Sequence, residues 1–252
     1  MPLCVIMNFI MSNIKNCLLN SFILLATIFL ITNSVVNAEE EENYLKAISD
    51  QIQVITKDLK TLDACAAPGG KSLMIAALNK VDSLCLNDVS RHRIKRIQEN
   101  IQRTGISPSA ILQSDGEKLP FDKHHFDTVL IDAPCSSTGT IQKNPDIKWT
   151  ASEETLLKHL ELQRQLLDEG ARILKPGGTL IYSTCSLEEE ENQNQVESFL
   201  ARHTGFFIQK RPSDSAFFEV DDWANEDHSF FQILTGPKWG GFFGAAIYSD
   251  HA

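Results

Sequence analysis

The 252-residue chain has no Cys-x-x-Cys pair and no Cys/His cluster at zinc-ligand spacing, although it holds six cysteines, at 4, 17, 65, 85, 135 and 185. That pattern argues against a zinc-stapled fold or a disulfide framework and suits reduced thiols in a cytosol. Also missing are Gly-x-Gly-x-x-Gly and the phosphate-cradling Gly-x-x-x-x-Gly-Lys-Ser/Thr, so neither the usual dinucleotide fingerprint nor a P-loop is present. Positive charge is scarce: 23 Lys and Arg face 33 Asp and Glu, a formal net charge of −10. A free-standing nucleic-acid binder does not look like that. Yet the acids are concentrated, with eight of them in the runs Glu39 to Glu42 and Glu188 to Glu191. Arg91, Arg93, Lys95, Arg96 and Arg103 gather on one predicted helix, so overall sign is a weak guide to partners. Repeats are absent, and so is low complexity outside the Glu runs.

What is present suffices for one α/β domain plus something small, with 42% hydrophobic residues to fill a core. The first 38 residues stand apart. Leu18 to Val36 is mostly apolar, preceded by Lys15 and followed by Val36-Asn-Ala38 and four Glu, the layout of a signal peptide. A membrane anchor is a second reading, weakened by Asn20, Ser21, Thr27 and Thr32. Either would export the remainder, against the needs of an enzyme with an intracellular cofactor. A mis-called or fused start on a truncated gene is the third reading. The expected organisation is a leader over 1–38, a charged helical linker over 39–60 and the α/β domain over 61–252. The expected location is cytoplasmic, with which the leader conflicts.

From Thr61 onward, strands and helices alternate. Thr61 to Cys65, Ser83 to Leu86, Ala110 to Leu112, Phe126 to Ile131 and Thr179 to Tyr182 read as strands. Between them, Lys71 to Asn79 has helical periodicity, and Ser90 caps a basic helix ended by Gly105. Ser152 opens a long amphipathic helix to about Leu174, and Lys175-Pro-Gly-Gly178 turns into the fifth strand. A helix from Glu188 to about His203 precedes Phe206 to Ile208, Phe230 to Ile233 and Phe242 to Tyr248, which read as closing strands, the last ones forming an antiparallel edge hairpin. Such alternation specifies a doubly wound, mostly parallel Rossmann-like sheet.

Ligands of such sheets bind beyond the carboxyl ends of the strands. Ala66-Ala-Pro-Gly-Gly-Lys71 follows the first strand, with glycines that admit a ligand to the backbone and a helix N-terminus to offer N–H groups. Asp88, Asp115 and Asp132 end the next three strands. One such acid is usually a cap or turn former; three above a Gly-rich loop outline a cleft for an adenosyl cofactor. Cys135 and Cys185 follow the fourth and fifth strands. A single free Cys is usually a small buried hydrophobe, but two at equivalent strand ends suggest one thiol to attack and one to release.

In order along the chain, Asp63-Ala-Cys-Ala-Ala-Pro-Gly-Gly-Lys71, Asp132-Ala-Pro-Cys-Ser-Ser-Thr-Gly139, Asn144-Pro-Asp-Ile-Lys-Trp149 and Ser183-Thr-Cys-Ser186 closely resemble the motifs of the RNA cytosine-C5 methyltransferases of the bacterial Sun (RsmB) type. The resemblance runs from about residue 60 to 248. It implies that 61–252 is an S-adenosylmethionine-dependent methyltransferase domain acting on RNA, with 16S ribosomal RNA as substrate and no metal. By that resemblance, Cys65, Ala66, Ala67, Pro68, Gly69, Gly70 and Lys71 bind the cofactor, with Asp88 on the ribose, Asp115 beside the adenine and Asp132 near the methyl donor. It further implies Cys185 as nucleophile, Cys135 as the releasing thiol, and Lys71 with Asp132 oriented on the cytosine. Gln142 and Asn144 depart from the family, whose bacterial members carry Arg and His there. The helical RNA-binding domain that precedes the catalytic residues in Sun-type members is expected to be missing here, with the apolar leader read in its place. Rival readings are a remnant that binds cofactor or RNA without turnover, and a DNA cytosine-C5 methyltransferase. The latter uses the Pro-Cys thiol as nucleophile and lacks the Thr-Cys-Ser thiol.

Overall fold

The computed structural model of the chain describes residues 59–79, 83–209, 229–234 and 240–250. The leader, and the linker up to residue 58, lie outside the described residues, and with them the signal-peptide and anchor readings. Among the described residues, no helix is long and apolar enough to cross a membrane.

The predicted strands form: β1 (Lys60–Asp63), β2 (Ser83–Asn87), β3 (Ala110–Leu112), β4 (Phe126–Asp132) and β5 (Leu174–Thr184). They are followed by β6 (Phe206–Ile208), β7 (Phe231–Ile233) and β8 (Phe242–Ser249). The sheet order is β3-β2-β1-β4-β5-β8-β6, with β7 also paired to β8. Pairings among β1 to β5 are parallel, while β8 runs antiparallel to β5, β6 and β7. This is the doubly wound, mostly parallel sheet with an antiparallel C-terminal edge. Central strands are apolar without alternation because both their faces are covered; Val129, Leu130, Ile131 and Leu180 are wholly buried. In β2 the alternation shows the two faces directly: Leu84 and Leu86 join one apolar cluster with Ile94 and Ile97, and Cys85 joins the other with Leu166, Leu167 and Phe199.

The helices are α1 (Gly70–Asn79), α2 (Arg91–Thr104), the single turn α3 (Ile147–Thr150), α4 (Glu153–Ile173) and α5 (Gln193–Arg202). Two begin where the capping residues stand: Ser90 Oγ accepts from the Arg93 N–H, and Ser152 Oγ from the Thr155 N–H. Gly105 ends α2 in the left-handed region, at φ +70°, where its N–H reaches the Ile101 carbonyl.

Three expectations need correction. The Lys175-to-Gly178 turn lies inside β5 as a bulge, since Leu174 already pairs with Phe126 before the register shifts to Thr128 and Thr179. The helix expected from Glu188 starts only at Gln193, after a 3-10 turn over Glu189–Glu191. Asn192 interrupts it because its amide turns inward, accepting from Thr184 Oγ1 and donating to the Ser186 carbonyl. Finally, the last strands do pair as an antiparallel hairpin, β7 with β8, but of the two only β7 lies outermost: β8 is an inner strand, with seven of its eight residues buried and β5 along its other flank.

Strand order reverses between β1, which leads on to β2, and β4 on its other side. Loops diverge at such a point and leave a crevice at the carboxyl ends. The β1, β4 and β5 loops all open there.

Candidate active site

The loop after β1 is built around Asp63, which is 1% exposed. Its carboxyl accepts from the Cys65 N–H and from Ser72 Oγ, which folds the loop back onto the first turn of α1. Burial, with the Asp132 carboxylate adding to it, pushes Asp63 up to about 7, against the pull of Ser72. The same desolvation and the carboxylates of Asp63, Asp132 and Asp88 push the Cys65 thiol up, so it stays protonated. Gly69 stands at φ +102°, a conformation costly for any side chain. Gly70 is different: nothing lies within 4 Å of the place where its Cβ would be. Space is thus left open at the helix N-terminus, where a ligand can approach the backbone.

Asp88 fastens this loop to the end of β2. One oxygen accepts from the Ala67 N–H at 3.2 Å; the other takes the Ser90 N–H at 2.8 Å and Arg93 Nη2 at 3.1 Å. The carboxylate is therefore sealed, with the more exposed Arg93 guanidinium beside it. Asp115, after β3, is exposed and accepts from the Glu117 N–H. Asn87, to which the sequence assigns no role, ties three strand ends together. Its amide donates to the Ala64 and Ser114 carbonyls and accepts from Ser114 N–H and Oγ.

The second half of the site is where β4 and β5 end. Lys71 Nζ and Asp132 Oδ2 are 2.7 Å apart, and Asp132 Oδ1 accepts from Ser183 Oγ at 3.0 Å. Burial pulls the Lys71 ammonium down, but the Asp132 carboxylate outweighs it and the net shift is upward. Lys71 also lies 5.9 Å from the Phe242 ring centre, within cation–π range. Cys135 and Cys185, fifty residues apart in the chain, face each other with sulfurs 3.4 Å apart. Their surroundings are unequal. Cys185 is drawn down to about 7, first by the hydrogen bond from Cys135, with Ser137 and the Lys71 ammonium helping against burial and Asp132. Cys135 is pushed up, because the proton shared with Cys185 stays on it and burial adds to the effect. Ser137 Oγ lies 3.3 Å from Cys185 Sγ, on a residue held at φ +59°. A non-glycine residue in that region marks a strained, over-determined position.

Glycines join the two thiol loops. The Gly139 N–H bonds to the Cys185 carbonyl at 3.0 Å, and the Gly241 N–H to the Gly139 carbonyl at 2.7 Å. Glu191, in sequence merely the last of an acid run, is wholly buried and accepts from the Ser136 N–H and Oγ. In the segment after Gly139, Gln142 and Asn144 are exposed, Asn144 donating to Thr140 Oγ1, and Trp149 is 87% exposed. So the structure brings Lys71, Asp132, Cys135 and Cys185 together, and sets Asp88 and Asp115 at neighbouring strand ends. Among the described residues, no group of three or more His, Cys, Asp or Glu has the arrangement to hold a metal ion.

Residues 32–247 match a family model described as 16S rRNA methyltransferase RsmB/F. The chain is 43% identical over 143 residues to the ribosomal RNA small subunit methyltransferase B of Shewanella oneidensis, covering 56% of this chain and 33% of that protein. Against the Salmonella arizonae protein of the same name it is 43% identical over 191 residues, covering 74% of this chain and 41% of that one. The crystal structure of NSun6 from Pyrococcus horikoshii with SFG superposes with a TM-score of 0.67 at 25% identity, covering 81% of this chain and 51% of that chain. The chain spans less than half the length of these curated relatives.

Proposed function

The chain belongs to the 16S rRNA methyltransferase RsmB/F family, and from that premise we propose that it methylates C5 of a cytosine in RNA, through a covalent bond between Cys185 and C6. Ribosomal RNA of the small subunit is the substrate class that the relatives' names supply. The observation that carries this reading is the thiol pair: two sulfurs 3.4 Å apart, in surroundings that draw Cys185 down to about 7 and push Cys135 up.

The residues present fit S-adenosylmethionine. Gly70 leaves the backbone open, the α1 N-terminus offers N–H groups, and the acids at 88, 115 and 132 suit hydroxyls, an adenine amine and a cation. In this reading Cys65 to Lys71 hold the cofactor, Asp88 the ribose and Asp115 the adenine, and Arg93 gives way for Asp88 to be reached. The cofactor supplies an electrophilic methyl group on a sulfonium.

C5 of an aromatic cytosine is a poor nucleophile. Addition of the Cys185 thiolate to C6 breaks the aromaticity and makes C5 nucleophilic, which is covalent catalysis. Asp132, held by Lys71, orients the base by accepting from its exocyclic amine, and the Lys71 ammonium beside it offsets the negative charge that the thiolate brings to the ring. Once C5 is methylated, its proton must leave before the C6–S bond can break. With Cys185 bonded to C6 the Cys135 thiol no longer donates to a thiolate, so it can release its own proton to water and then take the C5 proton as base. Because a stacked base is out of reach, the cytosine must be single-stranded or flipped out.

Denaturing gels with a cytosine-containing RNA and cofactor test the assignment. Cys185→Ala should give neither methylation nor adduct, whereas Cys135→Ala should form the adduct and retain it. A complex trapped by Cys185→Ala and not by Cys135→Ala would reverse the roles, as in the DNA-type mechanism. Trapping by neither would remove the covalent mechanism.

A further inference from the structure

Of the four acids from Glu188 to Glu191, only Glu191 is fully buried, and among the described residues no Lys or Arg lies within ion-pair distance of it. A carboxylate so placed is tolerated only where hydrogen bonds replace its water. Here they come from the thiol loop. The Ser136 N–H straddles both oxygens at 2.9 and 3.1 Å, and Ser136 Oγ donates to Oε2 at 2.5 Å. Gln163 Nε2 donates to Oε1 at 3.0 Å and also to the Pro134 carbonyl at 2.9 Å, while His159 Nδ1 stands 3.5 Å from Oε1. Cys135 is thus clamped on both sides, by its preceding carbonyl through Gln163 and its following amide through Glu191. The clamp is itself anchored, since Tyr182 Oη donates to the Glu191 carbonyl at 2.7 Å. Ser136 Oγ lies 3.0 Å from Ser186 Oγ, linking the residues that follow the two cysteines.

We propose that Glu191 is a positioning residue for Cys135, and that it serves the release half of the reaction. The inference rests on the thiol roles assigned above. Its carboxylate contacts Ser136, Gln163 and His159, whereas Cys185 is held by the end of β5 and the Gly139 N–H. Losing the carboxylate should therefore shift Cys135 more than Cys185. Glutamine has the same shape but only one acceptor oxygen, and its NH2 would face donors from Ser136 or Gln163.

The test uses the full chain with cofactor and a cytosine-containing RNA, and Cys135→Ala as reference. Glu191→Gln should form the adduct at close to the parent rate but release it slowly. Turnover should fall by up to roughly a hundredfold, the scale of a displacement near 1 Å, and a denaturant-stable complex should accumulate. Ser136→Ala, which loses the hydroxyl's bonds to Glu191 and Ser186 but keeps the Ser136 N–H on the carboxylate, should do the same more weakly, and it decides the matter if Glu191→Gln does not fold. Glu191→Asp, which keeps the charge, should recover part of the release rate. If Cys135→Ala traps the adduct while in Glu191→Gln adduct formation and turnover decline together, Glu191 is merely structural and the inference is overturned. If Cys135→Ala traps nothing, the thiol assignment fails first and takes the inference with it.

Discussion

At the scale of single residues, the chemistry turns on where one proton sits. Cys185 lies near 7 because the Cys135 thiol donates to it, so its thiolate fraction rises as pH rises through about 7 and is lost below. Iodoacetamide labelling of Cys185 should follow that curve, while Cys135 should stay unlabelled until the medium is more alkaline. Cys135→Ala removes the largest favourable interaction and should move the Cys185 midpoint upward; an unchanged midpoint would show that the pairing does not set it. Asp63 gives a second pH signature. Its folded value, about 7, lies above its ordinary 3.8, so its contribution to stability is full below about 4 and is lost as pH rises through 7. Asp63→Asn should flatten the dependence of melting temperature on pH between 4 and 8, and an equally steep profile in the variant would count against this origin. Lys71, Asp132, Cys135 and Cys185 were legible because each sits in a specific peptide at a strand end. Glu191 was not, for a carboxylate among four acids reads as solvated until the fold shows which one turns inward.

Between elements, Gly139 is the hinge point of the site. A Cβ there would stand 2.7 Å from both the Cys185 carbonyl and the Gly241 Cα, backbone atoms that cannot rotate aside. Gly139→Ala should cost about 1–3 kcal/mol, the usual penalty of overpacking, measurable by denaturant unfolding. Because the displaced atoms belong to the loop of Cys185, methylation should fall further than the stability loss explains. A variant of parent activity would mean that the junction relaxes without moving the thiols. The elements themselves were largely predictable, with Ser90, Ser152 and Gly105 marking helix ends by local chemistry. Failures came where tertiary contacts overrode local pattern: Asn192 breaks its helix to bind the Thr184–Ser186 loop, and β8 is drawn inside by pairing with both β5 and β6.

Over the whole molecule, charge limits how the proposed RNA substrate could be held. A chain of net charge −10 repels polyanions except at local basic surface. Among the described residues, α2 exposes Arg91, Arg93, Lys95 and Arg96 on one element, with Arg93 engaged by Asp88. Binding to single-stranded RNA should be weak and should fall steeply with salt, as counterion release requires. Replacing Arg91, Lys95 and Arg96 by Gln should lower the slope of log affinity against log salt, by about 0.7 for each phosphate no longer neutralised. An unchanged slope would move the interface elsewhere, with the exposed Lys148 and Trp149 the next surface to probe.

The sequence by itself determined the alternation of elements, the class of sheet and which four side chains to look for at the strand ends, since periodicity, capping and motif spacing are local properties. Only the tertiary structure decided that the two thiols meet at 3.4 Å, which of them keeps the proton, and that Glu191 lies beneath Ser136. Those facts depend on the register between β4 and β5 and on desolvation, and both arise only when segments fifty residues apart pack together.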